Sequence, residues 1–380
     1  MKENRKIAIV PQSNDTEFFK QVADLIAASR QFAKRQVDNT IVTAYYEVGR
    51  MIVEREQLGK KRAQYGVKLL NGLSEYLTEH CGKGFSTVNL QSMRKFYQVY
   101  APSIQQTLSA KFEESKSLIG ISDAAVRKKQ TPSAQFNLGW SHYQILMRIE
   151  NEAARRFYEI EATSQQWSVR HLQRQVGSSL YERLALSRDK DKVMALSNEG
   201  QTVENPRDIF KTPYVLEFTG LEERSEYSET ELEQALIDNL QKFLLELGKG
   251  FLFEARQKRF AFDEKSFFVD LVFYNRLLQC YVLIDLKTGE LHHQDLGQMQ
   301  MYVHYFDRYV KKVFEKPTVG ILLCQEKNDN IVELTLPEDS NIYASEYSLY
   351  LPDKALLERK LAEWTAEFEE EHEVKKKSRK

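Results

Sequence analysis

Two successive apolar runs, each with a carboxylate inside it, constrain this chain more than any other feature. The first, FFVDLVFY over residues 267–274, is apolar on both faces and predicts a buried strand. Asp270 sits in its middle, where an unpaired carboxylate is strongly disfavoured. The second run, YVLIDLK over residues 281–287, repeats the oddity. Side chains alternate along a strand, so Asp285 and Lys287 share one face while Ile284 and Leu286 pack on the other. A short link around Asn275–Leu278 joins the two runs into a hairpin. A loop with an even residue count, two or four, places Asp270 on the same face as Asp285.

Two carboxylates and one ammonium converging on an otherwise greasy sheet point to a hard divalent cation. Magnesium, or manganese in its place, takes oxygen ligands, commonly one or two carboxylates plus water and phosphate. Asp270 and Asp285 are the predicted ligands, with the backbone carbonyl of Leu286 as a further one. Lys287 then faces the attacking water or the scissile phosphate, where it lowers the water's pKa or stabilises developing charge. The plain alternative is an Asp–Lys ion pair at a sheet end. A lone D-x-K favours that alternative; the preceding buried Asp, the hairpin and the flanking helices favour the site.

More groups fit around it. Glu231 or Glu233, in the first turn of the preceding helix, could add a ligand or act on water, although acids are ordinary there. Gln298 and Tyr302 lie four residues apart on the following helix and share a face. Arg256 and Gln257, on the strand before the hairpin, are candidates for phosphate contacts. His292 and His293 are adjacent in a loop and point apart with no third ligand near, so zinc is not expected.

At 380 residues the chain suits two domains. Residues 16–190 read as helical, 191–212 as a linker, 213–370 as an α/β domain with a central mixed sheet, and 371–380 as a basic tail. In the front half a glycine-rich break at Cys81–Gly84 precedes Ser86, a predicted N-cap. Helix, short turn, helix is the pattern of a helix-turn-helix, and its second helix offers Asn89, Gln91, Arg94 and Lys95 to bases or phosphates. Residues 103–135 read as a loop or wing. One helix is predicted over Trp140–Tyr158 and another over Val169–Leu186. The latter carries Arg170, Arg174 and Arg183, which fits a solvated face or a phosphate-contacting one.

In the rear half the prediction is a helix over Glu229–Leu247, strands at Phe251–Arg256, Phe267–Tyr274, Tyr281–Lys287 and Thr318–Cys324, and helices over Gln294–Val310 and about Lys354–Glu371. A net charge of −1 gives no global attraction for nucleic acid, so local basic patches and metal ions must hold it. Cys81, Cys280 and Cys324 are scattered, which fits a reducing cytoplasm, and no apolar run is long enough to span a bilayer.

These residues resemble a known family. FFVD followed by IDLK is similar to the PD-(D/E)XK nuclease superfamily, and QMQMY at Gln298–Tyr302 resembles the Q-x-x-x-Y motif of its RecB-like branch. More narrowly, LEQALIDNLQKFLLELGKGF, ARQKRF, FFVDLVFYNRLLQCYVLIDLKTGEL and GQMQMYVHYFD resemble the YhcG-type nucleases of bacteria. YYEVGRMIVEREQ, RAQYG, GFSTVNLQSMRKFYQVY and LGWSHYQILMRI resemble that family's N-terminal, winged-helix-like domain, regarded as DNA-binding. The resemblance covers about residues 20–365. It implies Asp270, Asp285 and Lys287 as the catalytic core, Glu233 as the helix acid, and Gln298 and Tyr302 as the accessory pair. Val269 replaces the usual proline, and Asp285 stands where Glu is commoner.

The expectation is a magnesium- or manganese-dependent DNA endonuclease, in DNA processing or defence against foreign DNA. It would act as a dimer where two strands are cut. The alternatives are a silent nucleic-acid-binding scaffold that keeps the fold, and an RNA-directed nuclease.

Overall fold

The computed structural model describes residues 13–58, 63–102, 136–187, 190–221, 227–262, 264–337 and 339–363. Two compact units divide at Glu150 and Asn151.

Among the described residues, the regular elements of the first unit are all helices. Helix α1 runs over Ser13–Leu58, α2 over Ala63–Cys81, α3 over residues 87–102 and α4 over Trp140–Leu146. Ile52, Leu70, Leu90 and Met93 form its core, with Tyr45, Val48 and Trp140 packed around them. Gly49 lets α1 and α3 cross closely, because a Cβ there would lie 2.1 Å from the Met93 carbonyl oxygen. Ser86 caps α3, its Oγ accepting from the Asn89 amide at 3.3 Å. The helix–turn–helix order is therefore present, while the expected wing at 103–135 lies outside the described residues.

The single helix predicted over Trp140–Tyr158 is two. α4 ends at Leu146, and Asn151 opens α5 (Glu152–Ser164) by accepting from the Ala154 amide at 3.1 Å.

The second unit begins with helices. After α5 come α6 (Val169–Gly177), α7 (Leu180–Leu186) and α8 (Lys190–Glu199). The helix predicted over Val169–Leu186 breaks at Ser178–Ser179, where Ser179 adopts φ 52°. The segment expected as a linker, 191–212, holds most of α8 and a 3₁₀ turn at Pro206–Ile209. Packing thus divides the chain some way ahead of the boundary that polarity suggests, because α5–α8 cluster with the sheet unit.

Six strands form one mixed sheet in the order β1-β6-β5-β4-β3-β2. These are β1 (Tyr214–Val215), β2 (Phe251–Phe262), β3 (Lys265–Asn275), β4 (Cys280–Leu286), β5 (Val319–Cys324) and β6 (Ile342–Ser348). β2, β3 and β4 run antiparallel as a meander, and β4, β5, β6 and β1 are parallel. One face packs Leu271, Phe273, Val282, Ile284 and Leu286 against α9 (Glu229–Asp238) and α10 (Leu240–Leu247). The other packs Val272, Leu283 and Leu322 against Leu296, Met299 and Val303 of α11 (His293–Tyr305). The helix predicted over Glu229–Leu247 is therefore two, broken at Asn239, and α11 runs on into a π-helical turn at Phe306–Val310. A short α12 (Asp329–Thr335) precedes β6, and a helix α13 covers residues 354–363; the rest of the expected closing helix and the basic tail lie outside the described residues.

A buried charge cluster fastens α6 and α7 to the sheet. Arg183 and Glu246 are both fully buried and paired at 2.5 Å. Arg183 also donates to the carbonyls of Ser178 (2.8 Å) and Pro213 (2.9 Å), and Glu246 accepts from the Val215 amide at 3.1 Å. Arg174 reaches Glu217 at 3.0 Å and Glu246 at 3.4 Å. The expectation of a phosphate contact from Arg174 is corrected here: its guanidinium is turned inward onto two carboxylates. Arg170 remains exposed. No helix among the described residues is long and apolar enough to cross a membrane.

Candidate active site

The β3–β4 hairpin closes through a four-residue loop, with Asn275 opposite Cys280 and Leu271 opposite Ile284. One step further along this register, Asp270 stands across from Asp285, on the α11 face of the sheet. The ladder stops there because the Asp270 side chain takes over: its Oδ2 accepts from the Leu286 amide at 2.9 Å. Leu286 thus sits between Asp285 and Lys287 with its amide tied to the opposite carboxylate.

Asp285 is 3% exposed. Lys287 Nζ pairs with the buried Asp285 Oδ2 at 3.0 Å. Burial, reinforced by the negative charge of Asp270, pushes the Asp285 carboxyl up to about 7. Burial works against the charge on Lys287, but Asp285, Glu229 and Asp270 outweigh it and hold the ammonium above its usual range. Glu229, which sequence reasoning did not single out, approaches Lys287 at 3.5 Å.

The helix acid is resolved by capping. Glu231 folds back on Ser228, accepting from its amide at 2.8 Å and its hydroxyl at 2.9 Å. Glu233 is left facing the sheet and is 3% exposed. It is held by Arg256 Nε and Gln257 Nε2, and the same Gln257 amide donates to Asp270 Oδ1 at 2.9 Å. Arg256 also reaches Gln234 Oε1 at 2.7 Å. Both residues, expected at phosphates, are instead turned onto the carboxylates. Gln257 has φ 46°, a left-handed conformation uncommon for a side chain this size, in a strand that already carries a bulge near Glu254. That local kink aims one amide at two acids.

From the other side of the site, Gln298 Nε2 donates to the Tyr302 hydroxyl. Tyr302 is 1% exposed; burial raises its hydroxyl pKa, and the nearby Asp285 and Asp270 charges add to the rise. The structure therefore gathers Asp270, Asp285, Lys287, Glu233, Gln257, Arg256, Gln298 and Tyr302 around one end of the β3–β4 hairpin. His292 and His293 are exposed at the start of α11.

The donor set fits a divalent cation. Asp285 offers a buried carboxylate oxygen beside a second carboxylate of like charge. No group of three or more His, Cys, Asp or Glu among the described residues is set to hold a metal by itself. Asp270 and Asp285 would need the Leu286 carbonyl, water or a phosphate to complete a shell, which is how magnesium is commonly held.

In the helical unit, Gln91 and Lys95 are exposed on α3. Arg94 pairs with Glu56 at 3.1 Å, and the Asn89 side-chain amide donates to the Gly84 carbonyl at 2.9 Å. Gln91 and Lys95 are thus exposed to a ligand, while Asn89 helps to hold the turn and Arg94 ties α3 to α1.

The rear part of the chain matches the family described as the YhcG PDDEXK nuclease domain over residues 207–362, and the front part matches the DUF1016 N-terminal domain over residues 21–183. Over 375 residues the chain is 37% identical to the Escherichia coli (strain K12) protein named "Putative nuclease YhcG", covering 93% of this chain and 96% of that one. A solved repair endonuclease from Pyrococcus abyssi is similar at 20% identity with a TM-score of 0.23, covering 34% of this chain and 49% of its own. The structure titled EndoMS-dsDNA2 complex is similar at 18% identity with a TM-score of 0.24, covering 35% of this chain and 51% of its own. The chain thus spans about half the length of each of those two structures.

Proposed function

The chain belongs to the YhcG-type PDDEXK nuclease family, and on that footing we propose that it is a divalent-metal-dependent endonuclease acting on DNA. The observation that carries the proposal is the buried Asp285 carboxyl set beside the like charge of Asp270, two acids at one point of the sheet with the Lys287 ammonium 3.0 Å away. Asp270 and Asp285 would hold magnesium or manganese, with the Leu286 carbonyl as a further ligand. The ion would neutralise the carboxylates and lend Lewis acidity at the phosphoryl group.

The protein's own groups have separable tasks. Lys287 would stabilise charge developing on the phosphate oxygens or hold the attacking water. Its ammonium stays charged because three carboxylates surround it. Glu233 would act by position: it fixes Gln257, and Gln257 fixes Asp270. Gln298 and Tyr302 would steady the far side of the site.

Gln91 and Lys95 of α3, together with Arg170, supply exposed contacts for a DNA backbone. Self-association, which brings a second site to a second strand, would draw on the apolar side chains exposed along α1, among them Phe18, Leu25 and Phe32. DNA processing or defence against foreign DNA is the setting in which such an activity belongs.

The test is direct. Purified protein is incubated with supercoiled, linear and branched DNA, and with matched RNA, in magnesium, manganese or EDTA. The expected result is metal-dependent DNA cleavage that falls at least about a hundredfold in Asp285→Ala and Lys287→Ala. Cleavage that persists in EDTA, or in both variants, would contradict the mechanism; cleavage of RNA alone would overturn the substrate.

A further inference from the structure

A second feature lies on α11, beyond the catalytic residues. Tyr302 packs edge-on against Phe260 of β2 at 5.6 Å, Phe260 stacks on Tyr305 at 4.0 Å and 20°, and Tyr305 meets Tyr309 at 5.2 Å. A line of rings therefore leads from the candidate active site out to Tyr309, which is 63% exposed. Between this line and the tip of the β2–β3 hairpin lies an open cleft of about 370 Å³, also lined by Phe262, Gly297, His304 and Arg308. Its volume is at the small end of the roughly 300–1,000 Å³ usual for ligand sites. Phe262 is 56% exposed at its rim.

Three observations say what fits. Among the described residues the lining is aromatic, with the two basic side chains His304 and Arg308 and no acidic one, which suits a flat ring attached to a phosphate. Gly297 sits inside a helix, where glycine costs about 1 kcal/mol relative to alanine, yet a Cβ added there meets nothing within 4 Å, so packing does not require it. Its absent side chain leaves the cleft open. The helix also widens into a π-helical turn at Phe306–Val310, which carries Arg308 and Tyr309; such turns recur at functional sites.

We propose that this cleft binds one unpaired nucleobase of the DNA strand that crosses the catalytic carboxylates. The base stacks among Phe262, Tyr305 and Tyr309, with Arg308 and His304 at its phosphate. A base inside a duplex cannot enter without unstacking, so the cleft favours flapped, forked or frayed DNA over flush duplex. The inference rests on the nuclease reading and narrows its substrate.

The test separates the two. In an Asp285→Asn background, which removes cleavage, binding is measured with a DNA duplex bearing a short unpaired flap that contains 2-aminopurine, and with the flush duplex. The protein should quench the flap fluorophore. Tyr309→Ala with Phe262→Ala should abolish the quench and weaken flap binding about tenfold, leaving flush duplex within about twofold. Gly297→Leu, which fills the cleft on an intact helix, should do the same. In an otherwise native chain these changes should lower flap cleavage and spare whatever flush duplex is cut.

Quenching that survives both variants, or equal weakening for both DNAs, would overturn the base site. Failure of the unmutated protein to cut any DNA would instead sink the nuclease reading, and the quench would still decide the cleft.

Discussion

The second unit buries two groups of charged side chains, and they behave oppositely. Around Glu246, one fully buried carboxylate is met by Arg183, Arg174 and the Val215 amide, and Lys211 donates to its backbone carbonyl. Burial alone would push Glu246 up, but Arg183 and Lys211 bring it down to about 2. Around Asp285, an equally hidden carboxylate meets the like charge of Asp270 and one lysine at 3.0 Å, and it is pushed up to about 7. Depth is the same in both places; the supply of positive charge and donors differs. A buried acid with its partners in place is structure. A buried acid set beside a like charge, with fewer cations around it, is a candidate for chemistry.

The contrast can be broken or sharpened by substitution. The largest stability effect is expected at the satisfied cluster. Arg183→Met strands Glu246 and should lower unfolding free energy by about 3–5 kcal/mol, read by urea denaturation. No loss would mean that the cluster is ornament. At the other cluster the sign reverses. Asp285→Asn should raise the stability of metal-free protein by about 1–3 kcal/mol while abolishing cleavage. A destabilised Asn variant would show that the Asp285 charge is already compensated.

The pH dependence should also run in opposite directions. The folded-state value of Asp285 lies above its ordinary one, so the folded chain holds the proton more tightly. In EDTA, stability should fall as pH rises from about 4 to about 7, and this slope should vanish in Asp285→Asn. Glu246 is held low, so its contribution is present above the ordinary carboxylate range and is lost only as pH falls towards about 2. Urea midpoints across pH for the two variants check both. The smallest effect separates two arginines of one helix: Arg170→Ala should leave stability unchanged and lower the salt slope of DNA binding by about 1, whereas Arg174→Ala should destabilise the fold by removing two ion pairs.

The two regions also differ in how far the amino-acid pattern reveals them. The hairpin is readable because strand alternation and a four-residue loop are local rules, and they put Asp270 and Asp285 on one face. Even the choice between Glu231 and Glu233 is written locally, since Ser228 followed by Glu231 spells a capping box that takes Glu231 out of play. The Arg183–Glu246 pair is different. Its members are 63 residues apart and join only when α7 meets α10, so on its own helix Arg183 looks like part of a solvated or phosphate-binding face. The same holds for Arg256 and Gln257, whose inward turn depends on a bulge and a left-handed residue that no local pattern announces. The breaks at Asn239 and Ser179 carry no proline, and β6 (IYASEYS) alternates too imperfectly to stand out.

Asp270 and Asp285 are proposed to hold a divalent cation between them. The most direct measurement is thermal unfolding of the full chain and its Asp285→Asn variant, started in EDTA and repeated with increasing calcium or manganese. The account predicts that the unmodified chain begins the less stable of the two. Its midpoint should then climb with metal, by the equivalent of about 2.7 kcal/mol when the ion reaches a hundred times its dissociation constant, while the variant stays flat. Identical responses in the two proteins, or none in either, would contradict it.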